Sequence, residues 1–407
     1  MRLSPVVVAV LLLTATGAQA ERCAAPLPTG AGIPPTSINP LIVRPLGETI
    51  IPVPATDGLI HLAYAAQTTN LAAGPARISS ILPVDPLRGF EPTGRNLVLN
   101  VEGAPITGEV RVFGTPPASS RDTPTLAAGT SGITFFDVTY ARLAEVPELV
   151  AHRVSVGFPE GTSLTTITDP VRVNCDGPVQ LSPPLSGRGW WNGNGCCRTV
   201  NAHRSATLPL NGDLRPPEQF AIDFMQVTPD GGCCTGPVSD LRSWPFHGVP
   251  VLAAAAGTVV AAVDDMPDQI PGPPQGVTVE NAPGNHVIQD IGGGRWVLYA
   301  HLSPGSVTVK PGDVLRPGQP LGKLGNSGSS TAPHLHFQVM DRPSALNAVG
   351  LPFVFDRQWL EGIVVNTPAE AELAYEAGRR LGIDRRPAEL RRGEMPAEGH
   401  ILGFHLD

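Results

Sequence analysis

The sequence Ala-Pro-His-Leu-His-Phe at residues 332–337 decides the fold of the second half of this chain. His334 and His336 stand two residues apart in an apolar run. Side chains of a β-strand alternate between its two faces, so both imidazoles are predicted to project from the same face. A third histidine, His301, ends the apolar run at residues 297–300. Three histidines on neighbouring strands indicate a zinc site that performs chemistry.

The surrounding sequence consists of short apolar runs separated by turns that contain glycine. Gly and Pro each occur 45 times, and aromatic residues make up only 5% of the chain. This composition favours short strands and many turns over long helices, and the fold is predicted to be mostly β. Residues 190–350 are predicted to form an antiparallel β domain. One helix is predicted at residues 369–380, where alanine and glutamate dominate.

The first half of the chain contains no catalytic constellation. Strand-like stretches at residues 59–64, 96–101 and 109–113 are divided by Pro and Gly clusters. This spacing predicts an antiparallel β-sandwich over residues 21–180. A linker is predicted at residues 181–189. Residues 351–407 are predicted to be a short, partly helical C-terminal tail.

The N-terminus has the pattern of a secretory signal. Arg2 is followed by the apolar residues 6–13 and by the small-residue sequence Ala-Gln-Ala at 18–20. This pattern predicts a cleaved signal peptide over residues 1–20, a mature chain that begins at Glu21, and a secreted or periplasmic location. No later stretch approaches the roughly 20 apolar residues that a membrane span needs. The net charge of −8 gives no reason to expect nucleic acid or an anionic membrane as a partner.

The six cysteines are an even number, which in an oxidising compartment favours a disulfide framework. Cys23 and Cys175 bracket the first half and could tie its ends together. The adjacent pairs at 196–197 and 233–234 could cross-link one another. A four-thiolate zinc cluster is the competing interpretation, but adjacent cysteines do not have the usual C-x-x-C spacing.

Several motifs in order resemble the lysostaphin-type (LytM-like) zinc metallopeptidases. They are Phe-Ala-Ile-Asp-Phe at 220–224, Tyr-Ala-His-Leu at 299–302, the Lys-Pro-Gly-Asp turn at 310–313, and Gly-Asn-Ser-Gly at 325–328 leading to the two histidines of 334–337. The resemblance covers roughly residues 190–345. It implies an antiparallel β domain of the duplicated-hybrid-motif type, one zinc ion per chain, and peptides of bacterial peptidoglycan as substrate. It identifies no partner for the N-terminal domain.

The resemblance also implies roles for individual residues. Asp223 and His336 correspond to zinc ligands, and His301 and His334 correspond to the two catalytic histidines that do not bind the metal. A zinc ion held by two imidazoles and one carboxylate keeps a fourth position for water, which it activates near neutral pH. The two other histidines can stabilise the oxyanion and transfer the proton to the leaving amine. The sequence does not decide which of them does which.

The first zinc ligand departs from the family's pattern. The usual motif is H-x-G-x-D, whereas Gln219 and Ala221 stand four and two residues before the aspartate. Glutamine is a poor zinc ligand. His203, in the stretch that precedes the aspartate strand, is predicted to replace it. The rival candidates are His247 and His286.

Three classes of function compete on the sequence. The first is a secreted zinc endopeptidase that cleaves peptidoglycan peptides by zinc-activated water. The second is a catalytically inactive LytM-like binding or regulatory protein of the cell envelope, which the missing histidine of H-x-G-x-D supports. The third is a lipoyl- or biotinyl-carrier-like β module, suggested by the turn at residues 309–315; the sequence has no hairpin that presents a modified lysine.

Overall fold

The computed structural model describes residues 30, 32–47, 50–96, 110–112, 125–174, 176–197 and 201–405. The predicted signal peptide, the predicted start at Glu21, and Cys23 and Cys175 lie outside these residues. No helix in the described part of the chain is long and apolar enough to cross a membrane. The described chain is mostly β, which confirms the predicted fold class.

In the described residues of the N-terminal part, the strands form two antiparallel sheets of six strands each. Their strands, in chain order, are β1 (Leu41–Pro45), β2 (Val53–Pro54), β3 (Ile60–Asn70), β4 (Ala76–Asp85), β5 (Glu91–Pro92), β6 (Arg95–Asn96), β7 (Val110–Val112), β8 (Thr125–Leu126), β9 (Ser131–Tyr140), β10 (Leu149–Gly157), β11 (Ser163–Ile167) and β12 (Val171–Arg172). One sheet has the order β1-β3-β9-β6, with β2 beside β3 and β7 beside β9. The other has the order β11-β10-β4-β5, with β12 beside β10 and β8 beside β4.

These two sheets share one hydrophobic core. Tyr64 and Phe136 from the first sheet and Ile78 and Val154 from the second all belong to it, and each is at most 2% exposed. Aromatic and β-branched side chains pack well between pleated surfaces. The N-terminal part therefore has an interior of its own, separate from the larger core described next.

An eleven-stranded sheet dominates the second part. The remaining strands are β13 (Val179–Leu181), β14 (Gly187–Gly193), β15 (Leu208–Leu210), β16 (Asp213–Arg215), β17 (Ile222–Gln226), β18 (Pro250–Leu252), β19 (Gly257–Val263), β20 (Asn285–Asp290), β21 (Trp296–Leu302), β22 (Val314–Leu315), β23 (Pro320–Lys323), β24 (Leu335–Met340), β25 (Gly350–Leu351), β26 (Phe353–Phe355), β27 (Gln358–Val364), β28 (Ile383–Arg391) and β29 (His400–Phe404). The large sheet has the order β22-β19-β20-β21-β24-β17-β14-β29-β27-β28, with β25 beside β24. Strands β13 and β26, β15 and β16, and β18 and β23 form three small pairs.

The C-terminal segment differs from the predicted tail because it extends the large sheet. Strand β29 pairs with β14 in the register Trp190↔Leu402, and β27 and β28 follow it. Strand β28 is exposed along nearly its whole length and rich in arginine, so it lacks the apolar alternation by which a strand is recognised. The predicted helix is present as α2 (Pro368–Glu376), which begins with a capping box between Thr367 and Glu370.

The N-terminal part and the large sheet are joined by backbone hydrogen bonds. The N–H of Thr56 donates to the carbonyl of Met395, and the N–H of Met395 donates to the carbonyl of Pro54, at 2.9 and 2.8 Å. Val53 and Ala63 from the N-terminal sheets are buried in the core of the second part. The loop that precedes β29 is therefore held by both parts of the chain.

Each of the four described cysteines contacts its neighbour in sequence, but only one of the two contacts is a disulfide bond. Cys196 is bonded to Cys197. The sulfurs of Cys233 and Cys234 lie 3.1 Å apart as thiols, and Cys233 contacts the carbonyl of Tyr375 in α2. The cross-link between the two pairs that the sequence suggested is not formed, because one pair follows β14 and the other packs against α2.

Candidate metal centre

Asp223 lies at the centre of the large sheet. It is the second residue of β17, which runs between β14 and β24, and it is directly opposite His336 on β24. Its neighbours Ile222 and Phe224 are fully buried in the core. Because side chains alternate along a strand, the carboxylate projects from the opposite face to these two apolar residues. The strand therefore fixes one acidic group over the face that also carries His336.

The histidines of β24 and β21 share this face. His336 lies opposite Ala300 on β21, and the next residue, His301, has a left-handed backbone with φ of 61°. A non-glycine residue in this region is strained, and such strain is typical of functional sites. The N–H of His301 donates to the carbonyl of Pro283 at 3.0 Å, which holds the backbone there.

The turn that leads to His334 has glycines at the positions where another stretch of backbone lies in contact with it. His334 is bridged to Gly325, where any Cβ would clash with the backbone of Ser303. Gly328 has φ of 74° and lies against the backbone of Gly284. Only glycine satisfies both requirements without strain. The glycine-rich turn therefore positions His334 at the start of β24.

His203 enters the site from a four-residue helix, α1 (Ala202–Ser205). The side chain of Asn201 caps this helix by accepting the N–H of Arg204 at 3.0 Å. His203 is 6% exposed, and its Nε2 lies 3.2 Å from Oδ2 of Asp223. The structure thus brings His203 to the aspartate from a separate stretch of chain.

Arg204, the next residue in α1, anchors this helix to the N-terminal part. Its guanidinium is 2% exposed and donates to the carbonyl of Phe136 in β9 at 2.9 Å. It also donates to the carbonyl of Cys197. The position of His203 is therefore fixed partly by a strand of the N-terminal sheets.

His203, Asp223 and His336 form a group that could hold a metal ion. Their candidate ligand atoms all lie within 4.8 Å of one another, and all three residues are buried. In each histidine the second ring nitrogen is held by a neighbour. Nδ1 of His203 lies 3.2 Å from the carbonyl of Ala221, and Nε2 of His336 lies 2.8 Å from Oε1 of Gln338. Both partners accept a hydrogen, so Nε2 of His203 and Nδ1 of His336 are the nitrogens that would offer lone pairs to a metal ion.

The carboxylate of Asp223 has four partners. Oδ1 lies 3.2 Å from Nε2 of His334 and 3.1 Å from Nδ1 of His336. Oδ2 lies 3.2 Å from Nε2 of His203 and accepts the side-chain N–H of Asn194 at 3.1 Å. Burial alone would raise the pKa of Asp223, but attraction by His203 and His334 outweighs it and holds the pKa well below its usual range. Burial lowers the pKa of His203, and attraction by Asp223 outweighs this and raises it to about 9.

His301 and His334 lie side by side next to this group, with ring centroids 4.7 Å apart. Nδ1 of His301 donates to the carbonyl of Ser327 at 2.7 Å, and Nδ1 of His334 donates to the carbonyl of Ala332 at 2.8 Å. Burial, and then repulsion by the neighbouring histidines, holds the pKa of His301 well below its usual range. Burial lowers the pKa of His334, but the charge of Asp223 outweighs this and raises it. Two imidazoles with different proton affinities therefore border the site.

The residue at the family's motif position, Gln219, and the two rivals of His203, His247 and His286, make other contacts. The side chain of Gln219 donates to the carbonyl of Gly350 at 3.1 Å. Nε2 of His247 lies 2.8 Å from a carboxylate oxygen of Asp268. Nδ1 of His286 donates to the carbonyl of the preceding turn at 2.7 Å. Neither of these two histidines belongs to the group of candidate ligands found in the described residues.

Two further residues of the site were missed by the sequence analysis. Gln338 follows His336 by two residues and so shares its face of β24, a signal that the period of two could have provided. No pattern in the sequence points to Asn194 in this way. It follows Gly193, which lies opposite Asp223, and this register between β14 and β17 is set by tertiary structure.

A second group with ligand-like residues lies at the boundary with the N-terminal part. His61, Asp137 and Cys197 are all buried and close together. The ring of His61 donates to Asp137 at 2.8 Å and to Asp57 at 3.2 Å, and Cys197 is bonded to Cys196. Burial lowers the pKa of His61, but the two carboxylates outweigh it and raise the pKa to about 9. This group is therefore an ion network in which a protonated imidazole bridges two carboxylates.

Comparison with known proteins gives a match to the part of the chain that carries three of these histidines. The sequence model of peptidase family M23 matches residues 244–348, which include His301, His334 and His336. Over 66 residues the chain is 38% identical to the peptidoglycan DD-endopeptidase ShyA of Vibrio cholerae, a match that covers 16% of this chain and 15% of that protein. Over 57 residues it is 46% identical to the glycyl-glycine endopeptidase ALE-1 of Staphylococcus capitis, which covers 14% of this chain and 15% of that protein.

Other similar proteins include a third enzyme and two solved structures. The chain is 34% identical over 111 residues to the DD-carboxypeptidase/endopeptidase Mpg of Neisseria meningitidis, covering 27% of this chain and 24% of that protein. The chain thus spans about a quarter or less of the length of these curated relatives. The catalytic domain of lysostaphin from Staphylococcus simulans is 24% identical, with a TM-score of 0.23, over 40% of this chain and 86% of that one. The catalytic domain of the M23 protein EnpA from Enterococcus faecalis is 19% identical, with a TM-score of 0.25, over 42% and 93%.

Proposed function

Because the chain carries a peptidase family M23 domain, we propose that it is a zinc endopeptidase that hydrolyses peptide bonds in bacterial peptidoglycan. The observation that carries this proposal is the short distance between candidate ligand atoms: those of His203, Asp223 and His336 lie within 4.8 Å of one another. The rings of His301 and His334 lie beside this group. The similarity to a peptidoglycan DD-endopeptidase supports the class of substrate, and the similarity to a glycyl-glycine endopeptidase supports cleavage of peptide bonds.

The donor set fits zinc. Two imidazole nitrogens and one carboxylate oxygen, from His203, His336 and Asp223, are a ligand set that catalytic zinc sites use. Ala221 and Gln338 hold the other ring nitrogens, as outer-shell partners of zinc-bound histidines usually do. Bound zinc supplies a Lewis acid and lowers the pKa of a water molecule to about 7.

The two remaining histidines have roles that follow from their hydrogen bonds. The Nδ1–H of His301 is committed to the carbonyl of Ser327, so Nε2 is left with a lone pair that can accept a proton from the attacking water. His334 is held by Ala332 and faces Asp223, whose charge favours its protonated form. His334 is therefore the proposed donor to the developing oxyanion and to the leaving amine.

One observation favours a second candidate, a catalytically inactive binding or regulatory protein of the cell envelope. Gln219 stands where the family's H-x-G-x-D motif has a histidine, and its side chain binds Gly350. The endopeptidase proposal requires His203 to supply the missing nitrogen.

The proposal includes the location and the division of the chain. Residues 1–20 direct export to the periplasm or the medium, and residues 21–180 form a separate N-terminal domain. Residues 181–189, of which the first belongs to β13 and the last three to β14, connect this domain to the catalytic unit over 190–350, which the strands after residue 350 extend. The partner of the N-terminal domain is unknown.

The test uses the purified mature chain and purified peptidoglycan. We expect about one zinc ion per chain, release of soluble peptides from the peptidoglycan, loss of this activity with a chelator, and its recovery on addition of zinc. A chain that binds zinc but releases no peptide would favour the inactive binding protein. A chain that binds no zinc would overturn both the metal site and the proposed reaction.

A further inference from the structure

A cavity of about 450 Å³ lies where strand β14, helix α2, the C-terminal strands and the N-terminal part meet. Trp191, Asn194, Glu372 and His400 are among its lining residues. Its volume lies within the range of sites that bind small molecules or peptide segments. All its lining residues lie outside residues 244–348, so the cavity is built by parts of this chain that the family M23 match does not cover.

The cavity adjoins the candidate metal centre. Asn194 lines the cavity and also donates to the carboxylate of Asp223 at 3.1 Å. Glu372 also lines the cavity, and its carboxylate interacts electrostatically with Glu376, Asp223 and His203. A peptide whose scissile bond lies at the metal centre can therefore extend into this cavity.

Two buried polar atoms among the lining residues lack a partner. The indole Nε1–H of Trp191 and the side-chain oxygen of Asn192 have no hydrogen-bond partner among the described residues, although these residues are 3% and 0% exposed. Buried polar groups are normally hydrogen-bonded, because an unpaired one is unfavourable. Both atoms are themselves buried, so they lie behind the cavity wall and make no direct contact with a ligand in its open space.

Two arginines that line the cavity have ion-pair partners, whereas Glu372, which also lines it, has none among the described residues. The guanidinium groups of Arg386 and Arg391 already pair with Asp384 and Glu389, at 3.0 and 3.1 Å. Glu372, in contrast, is exposed and makes no ion pair in the described part of the chain, and the like charges of Glu376 and then Asp223 act on its carboxylate. A cationic group of a ligand would remove this repulsion.

We propose that this cavity binds the arm of the substrate peptide that carries a free primary amine, and that Glu372 selects for that amine. This inference rests on the proposed function, because the ligand is taken to be the peptide that is cleaved at the metal centre. Glu372 is a specificity-determining residue and takes no part in the chemical step.

The test compares two synthetic peptides that differ by one group. One is a lysine-containing tetrapeptide with a free side-chain amine, and the other is the same peptide acetylated on that amine. Their dissociation constants are measured by calorimetry on the zinc-loaded mature chain and on Glu372→Gln. Glu376→Gln is the matched control, because it removes the neighbouring like charge on the same helix and leaves the lining of the cavity unchanged.

The wild-type chain and Glu376→Gln are expected to bind the free-amine peptide at least 5-fold more tightly than the acetylated peptide, about 1 kcal/mol by the usual conversion. In Glu372→Gln this preference is expected to fall to about 1. On binding, the indole N–H resonance of Trp191 is expected to shift and that of Trp296, which does not line the cavity, to stay in place. An unchanged preference in Glu372→Gln, or no preference in the wild-type chain, would overturn the inference.

Failure of the proposed function gives a different result. If the wild-type chain binds the free-amine peptide with the expected preference but hydrolyses no peptidoglycan, the cavity site stands and the reaction does not. If it hydrolyses peptidoglycan but Glu372→Gln discriminates the two peptides as the wild type does, the reaction stands and the cavity site does not.

Discussion

Asp223 and His336 lie directly opposite each other on neighbouring antiparallel strands, with Nδ1 of His336 3.1 Å from Oδ1 of Asp223. The side chains of a directly opposed pair share one face of the sheet and lie within reach of each other. Strand register alone thus places two of the three candidate ligands, and only the third must come from outside the sheet. His203 supplies it from a short helix, so the integrity of the site depends on where that helix lies.

The substitution His203→Ala tests this dependence. We expect zinc affinity to fall by more than roughly 100-fold, since even outer-shell partners of a zinc site account for about 10–100-fold. The measurement is a competition titration with a chromogenic zinc chelator. His286→Ala is the control, because His286 binds its own turn and lies outside the candidate group. A His203→Ala variant that keeps wild-type affinity would refute the assignment of His203 as a ligand.

The substitutions His301→Ala and His334→Ala separate catalysis from metal binding. General acid or base groups contribute about 10²–10⁴-fold to rate, so we expect kcat to fall by roughly that factor. Zinc content should stay near one ion per chain, because neither residue belongs to the group of candidate ligands. Peptide release from peptidoglycan and zinc content are measured on the same samples. Loss of zinc from either variant would show that the substituted histidine is itself a metal ligand.

The sequence predicted that His334 and His336 would lie side by side, because side chains two residues apart on a strand project from the same face. His334 and His336 are two residues apart, and the structure places a ring nitrogen of each at 3.2 and 3.1 Å from the same oxygen of Asp223. The order of motifs along the chain also indicated that His301 would join them, and its ring lies beside that of His334.

What the sequence could not predict depends on contacts between distant segments. Asn194 reaches Asp223 only because β14 pairs with β17, and no local pattern encodes that register. The extension of the large sheet by the C-terminal strands escaped prediction, because β28 is an exposed edge strand whose polar sequence lacks the alternation of a strand. The cavity beside Glu372 depends on both features and was therefore invisible in the sequence.

Replacing Gln338 tests whether the outer shell positions His336. In Gln338→Met the side chain keeps its length but loses the oxygen that accepts the ring N–H at 2.8 Å. We expect zinc affinity to fall by roughly 10–100-fold, with the fold retained. The matched control is Gln358→Met, since Gln358 is also buried but lies on β27, where it binds the carbonyl of Glu394. Equal zinc affinity in the two variants would mean that Gln338 is only a packing residue.

The ion network of His61 predicts a pH-dependent stability. Its pKa is raised from 6.5 to about 9, because attraction by Asp137 and Asp57 outweighs burial. The protonated ring therefore stabilises the fold fully below pH 6.5, and this contribution, up to about 3 kcal/mol, is lost as the pH rises through 9. We expect the free energy of unfolding in urea to fall between pH 6.5 and 9.5, and to fall less in His61→Gln. His286→Gln should keep the full wild-type decrease, because burial lowers the pKa of His286 and the ring is neutral throughout this range. An equal decrease in the wild type and in His61→Gln would mean that His61 does not lose its proton in this range.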